Sequence, residues 1–246
     1  MSMGKESIMK KSGKAVILAA AAAFMAVGTV STVKAAGENA GGPGERFAIE
    51  EMEISEEADK IVLAVGQGDS KVKVSYYEKN SQGTWSQLFD TEGVYGRNGG
   101  TYDKREGDGM TPYGIYKINK AFGIQDDPGS LLPYEKLKEN DYWVDDPESR
   151  HYNRMVNTDS VEKDWNSAEH LIQVSPYYNY VLSLDYNEEA IPGKGSAIFI
   201  HCTAEGYTGS SGCICIGEDE MKLLVTRADD GMRAVIVPDE EALKKQ

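Results

Sequence analysis

Several stretches of the chain alternate apolar and polar residues with a period of two, the spacing of a strand with one buried face. Residues 60–65 read K-I-V-L-A-V and residues 71–77 read K-V-K-V-S-Y-Y, with the turn-forming G-Q-G-D-S between them. This pattern predicts two strands joined by a tight connection, and residues 84–90 predict a third. Residues 178–186, Y-N-Y-V-L-S-L-D-Y, alternate again. A short apolar run at 197–200 and another at 214–216 read as buried strands on either side of a loop of small and polar residues. Residues 234–237 predict a last strand. The L-I-Q-V-S that follows His170 also reads as a strand.

Helical spacing is scarce. Residues 218–227 place Met221, Leu224 and Val225 on one side and open with Glu218, Asp219 and Glu220, which suit the positive end of a helix dipole. Residues 121–160 read as an insertion of loops, with a short helix expected over 133–140. Many short strands, glycine-rich turns and few helices together predict a mainly β domain.

The first 35 residues follow another rule. Lys5, Lys10, Lys11 and Lys14 precede an apolar run over 15–30, and Val33-Lys34-Ala35 offers small residues before a cut. This is the pattern of a secretory signal peptide, with cleavage expected after Ala35 or Ala36. An uncleaved anchor is the alternative, although the apolar run falls short of the ~20 residues of a membrane span. Residues 36–49 are glycine-rich and read as a flexible linker. The folded domain is expected over 50–240. The localisation that follows is secreted or cell-wall associated.

Charge narrows the class of partner. The chain carries a formal net charge of −14. Such acidity opposes nucleic-acid binding, which needs basic patches, and keeps an exported protein soluble. Only three cysteines occur, Cys202, Cys213 and Cys215. An odd, clustered set is no disulfide scaffold and leaves at least one thiol free. With His201 they offer a three-cysteine, one-histidine set for zinc, but their spacing does not match the usual zinc knuckles, so no metal or other cofactor is expected.

The candidate chemistry lies in H-C-T-A-E-G-Y-T-G-S-S-G-C-I-C-I, residues 201–216. A free thiol has a pKa near 8.5, so only about 3% is thiolate at pH 7. A histidine that takes the proton removes this handicap, either as a neutral acceptor or as the cation paired with the thiolate. His201 closes one predicted strand and Cys213 opens the next, so the two meet if the strands lie side by side. Gly212 allows a tight turn before the thiol, and main-chain amides there could face an oxyanion. His151 and His170 are read as structural.

This segment resembles the active-site segment of the L,D-transpeptidases, the YkuD-like catalytic family. A second stretch, K-R-E-G-D-G-M-T-P-Y-G-I-Y-K-I over 104–118, resembles another segment of the same family. The sequence departs from the family pattern in three ways. Ser211 stands where a second histidine is usual, Cys215 where asparagine or arginine is usual, and the loop after His201 is short. A sortase pattern, with its longer gap between histidine and cysteine, is not present.

The resemblance implies a β-sandwich or open barrel with a few peripheral helices. It implies Cys213 as the nucleophile and His201 as the base, with Gly212 and Ser211 beside them. Arg97, Lys104 and Ser210 become candidates for holding substrate, as do Trp143, Tyr152 and Asn153 in the W-V-D-D-P-E-S-R-H-Y-N run. The implied partner is a peptidoglycan stem peptide, with no further protein required. The implied activity is transpeptidation through a Cys213 thioester, giving a 3→3 cross-link. An L,D-carboxypeptidase and an inactive wall-binding module are the alternatives.

Overall fold

The computed structural model describes residues 49–243. The expected signal peptide and nearly all of the expected linker lie outside them.

In chain order, a short helix α1 (Ile54–Glu57) leads into β1 (Lys60–Gly66), β2 (Lys71–Lys79) and β3 (Trp85–Val94). A loop region with β4 (Gly100–Thr101) and β5 (Thr111–Pro112) precedes β6 (Gly114–Gly123). Next come β7 (Tyr134–Lys136), β8 (Asp141–Val144), β9 (Arg154–Asn157) and β10 (Ala168–His170). The final part holds β11 (Val181–Leu184), β12 (Phe199–Cys202), β13 (Ile214–Ile216), α2 (Glu218–Arg227), β14 (Met232–Val237) and α3 (Glu240–Leu243).

Nine strands form one sheet in the order β11-β12-β13-β3-β2-β1-β14-β6-β7. Strand β11 also pairs with β6, which closes the sheet on itself and removes two open edges. Antiparallel β8, β9 and β10 make a separate small sheet. The mainly β architecture expected from the alternation is what forms.

That alternation sorts side chains to two sides of the sheet. Val62, Ala64, Val72, Val74, Ile200, Ile214 and Ile216 join one core, sealed by Met221, Leu224 and Val225 of α2. On the other side Phe122, Trp143, Leu171, Tyr178 and Phe199 pack around Cys213 and Cys215. The stacked and edge-on rings of Phe122, Trp143 and Phe199, with centroids 4.7–6.2 Å apart, make a rigid floor beneath the cysteines.

Two expectations are corrected. Residues 133–140 contain no helix. Tyr134–Lys136 is instead a strand in parallel with β6, Ala121 opposite Tyr134, and the Leu137 amide extends the ladder to the Gly123 carbonyl at 2.9 Å. An edge of β6 was available for pairing, and so short a segment gains little from an isolated helical turn. The residues after His170 form a 3-10 turn, Leu171–Gln173, rather than a strand. Leu171 is fully buried and accepts a hydrogen bond from the Val174 amide, so a three-residue spacing meets the burial that a two-residue spacing suggested.

Candidate active site

Strands β12 and β13 lie side by side in parallel, with Ile200 opposite Ile214, His201 opposite Cys215 and Cys202 opposite Ile216. The loop between them is fixed from outside. Ser210 bridges Gly96: its amide donates to the Tyr95 carbonyl and its carbonyl accepts from the Arg97 amide, both at 2.8 Å. Its hydroxyl donates to the Cys213 carbonyl at 2.6 Å and accepts from the Gly212 amide at 3.0 Å. Ser210 is therefore a buried brace for the turn, and the Gly212 amide, a candidate oxyanion donor on sequence grounds, is already committed to it. Gly212 has φ +152°, and a Cβ there would sit 3.0 Å from both the Met110 carbonyl oxygen and the Ile198 side chain. Only glycine fits this approach without strain.

The resting geometry of the thiols is specific. His201 is buried and its Nδ1 lies 2.8 Å from the Cys202 carbonyl. A carbonyl only accepts, so Nδ1 carries the proton and Nε2 keeps its lone pair. The thiol next to that lone pair belongs to Cys215, with Sγ 3.4 Å from Nε2. The Cys213 thiol instead donates to the Ala197 carbonyl, 3.2 Å away. All three cysteines are free thiols.

Burial decides the protonation states. It pushes the His201 imidazole down to about 4, against the opposing pull of the Cys202 carbonyl. It pushes the Cys213 thiol well above its ordinary range, and the Glu169 charge adds to this. Cys215 is raised as well, and Cys202 is pushed up to about 12, again mainly by burial. At neutral pH the resting pair is thus thiol and imidazole, not thiolate and imidazolium.

Cys213 and His201 open into one cleft of about 490 Å³, which Arg97, Lys104, Ser210 and Ser211 also line. Arg97 donates from Nη1 to the Ser211 hydroxyl at 2.8 Å. Among the described residues no carboxylate lies within ion-pair distance of Arg97, so its charge is available to a ligand. Lys104 is not available in this way. Its buried Nζ is 2.5 Å from Asp108 Oδ1 and donates to the Arg105 carbonyl at 2.9 Å. Burial works against the charge of Asp108, but the bonds from Lys104, Arg105 and Met110 outweigh it and lower its pKa. This explains the K-R-E-G-D segment: a buried ion pair holds the loop that faces Gly212.

Trp143, Tyr152 and Asn153 do not line the cleft, which corrects their expected place at the substrate. All three are buried. Trp143 Nε1 and the Ala197 amide both donate to Asn153 Oδ1 at 3.1 Å, while Asn153 Nδ2 donates to the Asn187 carbonyl at 2.8 Å. Tyr152 accepts from the Gly195 amide at 3.1 Å and donates to Glu106. Together they prop the 195–197 segment, whose last carbonyl receives the Cys213 thiol. Asp146 pins its own loop instead, accepting from the Glu148 and Asn166 amides.

Sequence reasoning missed Glu169 and Tyr178, which face the cleft. The Tyr178 hydroxyl donates to Glu169, and burial pushes that carboxyl up to about 7. The Tyr178 ring meets His201 edge-on at 5.1 Å. Tyr178 sits in the turn before β11 and packs with Phe199 and Cys213, on the side opposite Tyr180 and Leu182, so a period-two reading of 178–186 gave no signal for it. His170 stacks on Tyr142 and His151 sits edge-on to Trp165, both outside the cleft lining.

His201 on β12 and Cys213 at the start of β13 thus open into one cleft of a closed β sheet. The L,D-transpeptidase catalytic domain family, YkuD, matches residues 69–237, and the chain belongs to it. Among solved structures the fold is similar to an L,D-transpeptidase (Yku) from Stackebrandtia nassauensis, at 14% identity and TM-score 0.35, covering 79% of this chain and 62% of that one. It is also similar to L,D-transpeptidase 1 of Mycobacterium tuberculosis, at 14% identity and TM-score 0.32, covering 72% and 62%. A mutant L,D-transpeptidase of Enterococcus faecium gives 13% identity and TM-score 0.33, covering 73% and 49%. The match thus spans less than two thirds of each of these chains. No curated protein matches the sequence.

Proposed function

We propose that the chain is an exported cysteine L,D-transpeptidase acting on peptidoglycan stem peptides. Membership of the family supports the reaction class. The observation that carries the reading for these residues is that Cys213 and His201 share one cleft, with the imidazole neutral and its Nε2 lone pair directed to the thiol side of the sheet.

In this reading the donor is the amide between the L-centre of the third stem residue and D-Ala. Cys213 turns from the Ala197 carbonyl and passes its proton to His201 Nε2 as sulfur attacks the amide carbonyl. The imidazolium returns that proton to the departing D-Ala nitrogen, leaving a thioester. An amine from a neighbouring stem then loses a proton to Nε2 and attacks the thioester. The new amide forms, and the Cys213 thiol regains the proton. Because both groups are neutral at rest, proton transfer accompanies attack rather than preceding it. Arg97, unpaired and in the cleft, suits a substrate carboxylate. Water in place of the amine would make the same site an L,D-carboxypeptidase.

The test is intact-mass analysis after exposure to a tetrapeptide donor or a penem-type β-lactam. One adduct is expected on the wild type, on Cys202→Ala and on Cys215→Ala, and none on Cys213→Ala. An adduct that survives in Cys213→Ala overturns the assignment. No adduct on any form leaves the wall-binding module.

A further inference from the structure

Cys215 is a fully buried thiol that the mechanism above does not use, yet its sulfur lies 3.4 Å from His201 Nε2. Register builds this contact in. In the parallel pairing of β12 with β13, Cys215 is the residue opposite His201, while Cys213 falls two residues earlier on the same face. The Nδ1 side of the ring is anchored on the Cys202 carbonyl, so Nε2 needs a donor, and Cys215 supplies it. A thiol is the weakest of the common side-chain donors. It relieves a buried lone pair and lets go more readily than a hydroxyl or an amide would. A second acceptor is also within reach, because the Cys213 carbonyl lies 4.0 Å from Cys215 Sγ.

We propose that Cys215 is a positioning residue that holds the base at rest: its thiol occupies His201 Nε2 until Cys213 leaves the Ala197 carbonyl and takes its place. The proposal rests on reading Cys213 as nucleophile and His201 as base. No bond to sulfur is made or broken in the exchange. Two S–H donors trade acceptors, Cys213 moving from Ala197 O to Nε2 and Cys215 from Nε2 to the Cys213 carbonyl. The cysteine at 215 thereby sets how readily the base is released, and the strength of its donor sets the reactivity of a neighbour it does not touch through sulfur.

The test reads Cys213 alkylation by iodoacetamide across pH, located by peptide mass, on the full chain. Cys215→Ala removes the competing donor and is expected to raise the Cys213 rate about threefold to tenfold, the effect of one neutral hydrogen bond on the base. Cys215→Ser supplies a stronger donor and is expected to lower it by a similar factor. On a His201→Gln background both differences should vanish. A packing role predicts the reverse order, with serine restoring what alanine loses and with His201 irrelevant, and that result overturns the proposal. If Cys215→Ala fails to fold, the serine variant decides: a rate equal to or above wild type overturns it. Alkylation needs no peptide substrate. A correct order of rates without any penem adduct would therefore sink the transpeptidase reading and leave this one standing.

Discussion

Cys215 and His201 face each other across two parallel strands, Sγ to Nε2 at 3.4 Å, while the thiol that opens to the cleft is Cys213. The fold therefore separates two properties that one cysteine often combines: contact with the histidine and access to the cleft. Predictions follow from that separation and from the braces around it.

His201 should be the one histidine that matters. His201→Ala is expected to slow Cys213 acylation by roughly 10²–10⁴-fold, the usual worth of a general base. His151→Ala and His170→Ala should keep the wild-type rate within about threefold, since both histidines pack on rings away from the cleft lining. Stopped-time mass spectrometry of the adduct compares them. Equal losses at His170 and His201 would refute the assignment.

Stability should depend on His201 between about pH 6.5 and 4. Its folded pKa is lowered to about 4 from 6.5 by burial. Between those values the unfolded chain binds the proton and the folded one does not. Stability from the neutral ring is therefore full above pH 6.5 and is lost as pH falls towards 4, on the order of 3 kcal/mol in all. His201→Gln should lack this component. Denaturant titrations of both proteins across the window would show it as a closing gap, and parallel curves would contradict it.

Gly212→Ala should damage stability and acylation together. The added Cβ meets a carbonyl oxygen and a core side chain at 3.0 Å, at a φ that side chains rarely adopt. A loss of about 1–3 kcal/mol is expected. By contrast, Gly107→Ala, with nothing within 4 Å of its Cβ, carries only the strain of its own φ of +75°. Thermal melts rank the two, and a milder effect at Gly212 would be evidence against the turn described here.

Asp108→Ala should unfold the chain more easily than Asp103→Ala. Lys104 keeps only 3% of its side chain exposed and would be left with the Arg105 carbonyl alone, a loss of about 3 kcal/mol. The Asp103–Arg105 pair is exposed at 79% and 74%, and its loss should fall within about 1 kcal/mol. Urea midpoints at constant slope would check the order.

Much of this was legible beforehand, for a physical reason. Period-two burial put His201 on one face of its strand and both Cys213 and Cys215 on one face of theirs, and α2 was readable from its acidic start and apolar side. The offset between the two strands was not readable. Pairing register between two segments depends on how both pack against the rest of the sheet, not on either segment alone. That is why the base was matched to Cys213 on sequence grounds and stands opposite Cys215 in the fold. Trp143, Tyr152 and Asn153 misled for a similar reason: aromatic and amide side chains serve equally well to grip a ligand or to hold up a backbone, and only burial distinguishes the two.

The hydrogen bond from Arg97 to Ser211 joins residues 114 positions apart, and Gly96 bridges Ser210 just as distantly. The turn that carries Cys213 is thus stitched to a segment nearer the middle of the chain. Contacts this remote form late in folding, after long loops have closed. An incompletely folded chain holds three ordinary thiols and an ordinary histidine, with no turn to aim them. The alignment of the cysteine with the histidine would be completed only by the final closure of the sheet.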